Sequence, residues 1–156
     1  MDKNTVTELD KILTFSLGSQ LFGINVLSVQ DVLGPQRITA ITVADESVAG
    51  VLNLRGRIVT VIDVRKTLQV HYDKEQTQFM NIVVESQGEL FSLQIDSVGD
   101  VLSLNGMDID EPPATMDHVW KNVSSGIYKL DGKLLVVLDI DMLLNTIGRG
   151  EKRQAV

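Results

Sequence analysis

The chain has 156 residues, 44% of them hydrophobic and 22% charged, with a formal net charge of −7 and no cysteine. That length holds one ordinary core or two very small ones, and the composition is that of a folded chain. The acidic balance argues against a nucleic-acid binder, the missing thiols exclude disulfides and thiolate metal sites, and no apolar run approaches the ~20 residues that cross a bilayer.

In chain order, residues 1–11 are polar and read as a loose tail, with no apolar segment of secretory-signal length. A soluble, cytoplasmic protein without direct membrane insertion is the expectation. From Ile12, Leu13, Phe15 and Leu17 alternate with Thr14, Ser16 and Gly18, and Leu21-Phe22-Gly23-Ile24 follows the Gly18-Ser19-Gln20 turn. Period two with that punctuation predicts a β-hairpin. Strand character continues to Leu33, where Gly34-Pro35 ends it, and Asp45-Glu46-Ser47 predicts a short helix start.

The most informative stretch is Gly50–Leu68, GVLNLRGRIVTVIDVRKTL. It reads as strand, tight turn, strand: Val51, Leu52 and Leu54 lead into Arg55-Gly56, and Ile58, Val59, Val61 and Ile62 carry the chain away to Asp63. Gly56 supplies the positive φ that a two-residue hairpin turn needs. The return strand is apolar on successive residues, which suits a strand covered on both faces. Arg55 then sits at the tip of an otherwise apolar hairpin. Residues Val70–Gln78 are a polar linker.

The second half repeats the first. Leu21–Leu33, LFGINVLSVQDVL, and Leu90–Leu102, LFSLQIDSVGDVL, share seven of 13 positions at an offset of 69; Gly50–Leu68 and Gly126–Leu144 share six of 19 at an offset of 76. An internal duplication is the economical explanation. About five short strands at close spacing in each half predict an all-β fold of two small closed barrels on a shared apolar interface, with short helices in loops and at the C-terminus. First-half motifs run over about 12–68 and second-half motifs over about 79–144. Asp141 is placed to cap a helix running to Ile147, with Gly148 closing it, and residues 149–156 read as a flexible tail.

Duplicated halves share what the fold needs, so their differences point at function. The hairpin tip carries Arg55 in one half and Asp131 in the other; Leu27 corresponds to Asp96, and Gln30 to Gly99. The shared pairs Val29/Val98 and Val32/Val101 suit core positions. Leu27 is either an exposed apolar strand residue or one facing the opposite barrel. Arg55 is either a solvated turn residue, or one paired with a carboxylate such as Asp63, or a fixed cation beside an aliphatic groove that anchors a partner.

Catalytic chemistry is sparse. His71 and His118 lie in polar, loop-like stretches, and no nucleophile elbow, metalloprotease, P-loop or dinucleotide motif is present. Asp108, Asp110 and Glu111 lack the spacing of a calcium loop, and Trp120 reads as packing. No cofactor and no enzyme activity are expected. A small-ligand-binding β-domain using the groove between barrels stands as the alternative to a protein-binding module.

Together the motifs resemble the family of the chemotaxis coupling protein CheW. The resemblance covers roughly residues 12–145 and rests on four ordered segments: Phe15-Ser16-Leu17-Gly18 with Phe22-Gly23-Ile24 and Val29-Gln30-Asp31-Val32; Gly50–Val59 with Val61–Arg65; Ile95–Leu102; and Leu135–Leu144. It implies a single domain over 12–145 made of two intertwined SH3-like five-stranded β-barrel subdomains, a non-enzymatic scaffold that links the cytoplasmic tips of chemoreceptors (methyl-accepting chemotaxis proteins) to the regulatory domain of the histidine kinase CheA. It implies receptor contacts at Asn53, Leu54, Arg55 and Gly56 and kinase contacts at Leu27, Val29, Gln30 and Asp31. Asp31 stands where the family more usually has Glu, and Pro35-Gln36-Arg37 departs from the family's usual loop.

Overall fold

The computed structural model describes residues 11–43, 45–70 and 78–147. The N-terminal alternation forms β1 (Lys11–Leu17) and β2 (Gln20–Asn25), which turn at Gly18. The strand expected to run on to Leu33 is interrupted. The Asn25 side chain accepts from the Leu27 amide and caps a 3-10 turn at Val26–Ser28, before β3 (Val29–Leu33) resumes. Asp45-Glu46-Ser47 is a turn and not a helix start. Asp45 accepts from the Ser47 amide through its carboxylate and from the Val48 amide through its carbonyl, and the chain passes directly into β4 (Val48–Leu54). Local side-chain bonding of this kind competes with helix, and the β-branched Val48 and Val51 favour the extended form.

The central hairpin continues through β5 (Arg57–Asp63) into α1 (Val64–Thr67), which Asp63 caps by accepting from the Lys66 amide. Then come β6 (Met80–Ser86), β7 (Glu89–Ile95), β8 (Ser97–Ser103), the two-residue β9 (Ile109–Asp110), α2 (His118–Val123), β10 (Ser124–Leu130), β11 (Lys133–Leu138) and α3 (Ile140–Asn145). The cap of α3 is Asp139 and not Asp141. Asp139 accepts from the Met142 amide at 3.0 Å, as its twin Asp63 does for α1, while Asp141 lies in the first turn and accepts the Ser86 hydroxyl at 2.6 Å. Of the two tails and the linker, Lys11 belongs to β1; residues 1–10, 71–77 (with His71) and 148–156 lie outside the described residues.

The strands make two sheets, one in the order β8-β1-β2-β11-β10-β9 and one in the order β3-β6-β7-β5-β4. The duplication is visible in both. An offset of 69 carries β1, β2 and β3 onto β6, β7 and β8, and an offset of 76 carries β4 and β5 onto β10 and β11. Applied to the second sheet's order, these offsets reproduce the first sheet's order apart from β9. The register agrees as well: Thr60 lies opposite Phe91 in the parallel β5–β7 pair, and their twins Val136 and Phe22 lie opposite each other in the parallel β11–β2 pair. Each sheet is nonetheless built from both halves of the chain. The first hairpin, β1–β2, pairs with β8 and β11, and the second half's hairpin, β6–β7, pairs with β3 and β5.

This exchange explains the aliphatic return strands. On β5, Val59 and Val61 join Leu52 in a small cluster on one face, while Ile62 faces the large shared core. On β11, Leu135 and Val137 join Ile12, while Val136 and Leu138 face that core. The shared core holds Phe15, Phe22 and Ile24 from one sheet and Ile82, Val84, Leu93 and Ile95 from the other. Trp120 packs there: its ring meets Phe22 edge-on at 5.2 Å, and its indole N–H donates to the Leu68 carbonyl at 2.7 Å.

An ion pair spans this interface. Arg65, at the start of α1, is paired with Asp96 between β7 and β8, and their side chains are only 4% and 11% exposed. The Asp96 carboxylate also accepts from the Gly18 amide at 2.7 Å, so it fastens the β1–β2 turn of one sheet to α1 beside the other.

Candidate functional site

The β4–β5 turn is built to hold one cation outward. Arg55 and Gly56 are its two central residues, with φ of 52° and 85°, so both occupy the left-handed region that a two-residue hairpin turn of matched twist requires. Glycine adopts this readily; arginine does so only where other interactions hold it. Asn53 supplies one, its side-chain oxygen accepting from the Gly56 amide at 2.9 Å, and Leu54 packs onto the cluster of Leu52, Val59 and Val61. Of the four residues expected at a receptor surface, Asn53, Leu54 and Gly56 therefore shape the tip. Arg55 projects from it, with its side chain 76% exposed.

The Arg55 guanidinium donates to the Asp31 carboxylate at 3.0 Å, and not to Asp63, which is engaged in capping α1. The pair is superficial: the Arg55 side chain is 76% exposed and that of Asp31 29%. A solvated pair of this kind contributes about 0–1 kcal/mol and exchanges readily for a partner's carboxylate or carbonyl. Asp31 lies on β3 and Arg55 beyond β4, the two opposite edges of the five-stranded sheet, so the contact brings those edges together. It also joins two residue sets that the sequence kept apart, since Asp31 belongs to the expected kinase surface and Arg55 to the expected receptor surface.

The rest of the β3 set divides by burial. Gln30 falls between Val29 and Asp31 where the β3–β6 register shifts, and it is exposed, while Val29 is half-buried against the shared core. Val32 and Val101, which the duplication suggested as core, are exposed instead, at 39% and 53%. Both lie on strands at a sheet edge, so one flank is uncovered. Ile58 is 65% exposed and stands across the hairpin from Asn53, although its strand reads as buried on both faces. Arg55, Asp31, Val32 and Ile58 thus combine a cation, a carboxylate and exposed apolar surface around one hairpin tip. Sequence reasoning missed Val32 because local pattern does not tell an edge strand from a central one, and Ile58 because it lies beyond the part of β5 that pairs with β7.

Leu27 is 53% exposed, on the 3-10 turn and not on a strand. It lines a cleft of about 520 Å³ with Tyr128, Ile140 and the acidic Glu85, Asp139 and Asp141. This cleft is where the alternative of a small ligand would apply. Among the described residues no group of three or more His, Cys, Asp or Glu side chains is arranged to hold a metal ion, and no helix is long and apolar enough to cross a membrane. His118 is exposed at the start of α2.

Comparison with known proteins places this architecture. A family model described as CheW-like domain matches residues 11–148. "Chemotaxis protein CheW" of Klebsiella aerogenes is 33% identical over 139 residues, spanning 87% of this chain and 82% of that protein. The protein of the same name from Thermotoga maritima is 28% identical over 137 residues, spanning 88% and 89%. The crystal structure of the scaffolding protein TtCheW from Thermoanaerobacter tengcongensis superposes with a TM-score of 0.76 at 29% identity, covering 90% of this chain and 95% of that one.

Proposed function

We infer the function from one premise: the chain belongs to the CheW-like domain family, whose model spans residues 11–148. It is a chemotaxis adaptor and scaffold acting in signal transduction, and not an enzyme. Its partners are the cytoplasmic tips of chemoreceptors and the regulatory domain of the histidine kinase CheA, which it couples in cytoplasmic arrays so that receptor state controls kinase activity. Each contact is modest by itself, and repetition across an array supplies avidity. The receptor helices meet the hairpin tip of Asn53, Leu54, Arg55 and Gly56, and the kinase meets the strand of Val29, Gln30 and Asp31 with Leu27 beside it.

The observation that carries this reading is Arg55. A long, mostly exposed side chain is held in a left-handed backbone conformation at a hairpin tip, where glycine or asparagine would be less strained. Exposed strain of this kind points to a role outside folding. The test is Arg55→Asn, because Asn-Gly suits the same turn. We expect unfolding free energy within about 0.5 kcal/mol of wild type, since relief of backbone strain offsets a surface ion pair. Receptor-fragment binding falls at least about tenfold, consistent with an energetic hot spot, and receptor control of CheA is lost with it. A variant that binds and couples normally removes Arg55 from the site. A variant that unfolds several degrees earlier makes Arg55 structural.

Val32→Asp tests the kinase side. Val32 is 39% exposed, so the fold tolerates the change, and kinase affinity drops while receptor binding persists. Equal kinase affinity in titration calorimetry rejects β3 as the kinase surface.

A further inference from the structure

Gly34, where β3 ends, is held from inside its own sheet. The Asn81 side chain on β6 donates to the Gly34 carbonyl at 3.0 Å, and the Asn81 side-chain oxygen accepts from the Ser92 hydroxyl on β7 at 3.0 Å. Both residues are buried, so a line of side-chain hydrogen bonds runs beneath β7 and β6 to the end of the edge strand β3. The other copy does without it. At the offset of 69, Asn81 and Ser92 answer to Ile12 and Gly23, and a methyl group on Gly23 would meet the Ile12 side chain at 2.3 Å. There a branched aliphatic side chain fills the room over a bare backbone, in an apolar cluster with Leu135 and Val137.

An apolar pair thus serves burial at this place. A buried amide is tolerated only when it is hydrogen-bonded, and a satisfied polar network selects one arrangement of the backbone it touches. The backbone selected here is the exit of β3. The Gly34 carbonyl also accepts from the exposed Gln36 side chain at 3.3 Å. A few residues on the chain is fastened again, where Thr39 and Val51 exchange backbone hydrogen bonds at 2.8 and 2.9 Å. Pro35, Gln36 and Arg37 therefore form an exposed loop with both ends fixed, shortly after Asp31 and Val32. In the other copy the tie to the edge strand sits elsewhere: the buried Thr14 hydroxyl donates to the carbonyl of Asp100, the twin of Asp31, at 2.7 Å. We propose that Asn81 is a positioning residue of the kinase surface, its amide fixing the point where β3 ends and so the attitude of Asp31, Val32 and residues 35–37 toward the CheA regulatory domain. This rests on the adaptor reading and adds to it the buried group that orients one contact.

The test gives this copy its twin's pair, Asn81→Ile with Ser92→Gly, in the full chain. The purified CheA regulatory domain and, separately, a receptor-tip fragment are titrated into it calorimetrically. The variant is expected to melt like wild type, since an apolar pair of this shape already packs in the other copy. The amides of Gly34, Gln36 and Arg37 are expected to exchange with solvent at least about fivefold faster. Kinase affinity falls about fivefold, because the loop must now be ordered on binding, and receptor affinity is unchanged. Thr14→Val, which cuts the other copy's tie to its edge strand, is the matched control and is expected to leave kinase affinity as it is. Unchanged kinase affinity in the folded paired variant overturns the inference. So does an equal loss for both partners, or an equal loss of kinase affinity in Thr14→Val, since either makes the pair a general support of the fold. If the paired exchange does not fold, Ser92→Ala decides. It removes the donor that orients the Asn81 amide and is expected to speed the same exchange and weaken kinase binding about twofold to threefold; wild-type exchange and affinity overturn the inference. A wild-type chain that binds no kinase rejects the adaptor reading and this inference with it, an outcome distinct from a variant that matches a binding wild type.

Discussion

Asp96→Leu, which gives the second half the residue its twin Leu27 carries, is expected to destabilise the chain by about 3–5 kcal/mol, the usual effect of removing one member of a buried ion pair. The Arg65 side chain is 4% exposed, so its charge cannot be returned to water without opening the interface between the sheets. The variant also removes the acceptor for the Gly18 amide, loosening the β1–β2 turn. Arg65→Met combined with Asp96→Leu is expected to recover most of the loss, because an apolar pair of similar volume avoids the uncompensated charge. Urea unfolding monitored by Trp120 fluorescence reads both effects, since that indole packs against the shared core. A single variant that loses less than about 1 kcal/mol shows that the pair does not hold the sheets together.

Gly50→Ala is expected to lower stability by about 2–4 kcal/mol, the sum of a strained backbone and an overpacked contact. Gly50 has a φ of 153°, and a methyl group there meets the Thr39 carbonyl oxygen at 2.2 Å. That carbonyl accepts from the Val51 amide at 2.9 Å, while Thr39 donates to the Val51 carbonyl at 2.8 Å. The substitution therefore breaks the bridge that fastens the loop after β3 to β4, and the amides of Thr39 and Val51 should exchange faster with solvent. Gly34→Ala, where nothing lies within 4 Å of the added methyl, is the matched control and is expected to change little. Equal melting temperatures for the two variants would show that the close approach is absorbed by the loop.

Much of the site was legible in local signals. Positive φ at Gly56 followed from a two-residue turn between apolar strands, and the Arg at the tip followed from the same seven letters. Comparing halves also flagged Leu27 against Asp96, an exposed apolar side chain against a nearly buried carboxylate. The roles within each pair were not legible. Asp63 and Asp31 were equally available to Arg55 by composition, and the choice was made by α1, whose first amides claimed Asp63. Asp141 looked like a helix cap because an Asp before an apolar run commonly is one; Asp139, two residues earlier, took the amide.

By itself the sequence determined the all-β class, the duplication, the turn chemistry and the family, because periodicity, glycine placement and repeated motifs are local properties of the chain. Tertiary structure alone decided which half each strand serves, that β3 and β8 lie at edges and so expose Val32 and Val101, and that Asp31 reaches Arg55. Those outcomes depend on pairing between residues tens of positions apart. Hydrogen bonding along a strand is satisfied equally well by several neighbours, and the exchanged arrangement is one that buries both aliphatic return strands.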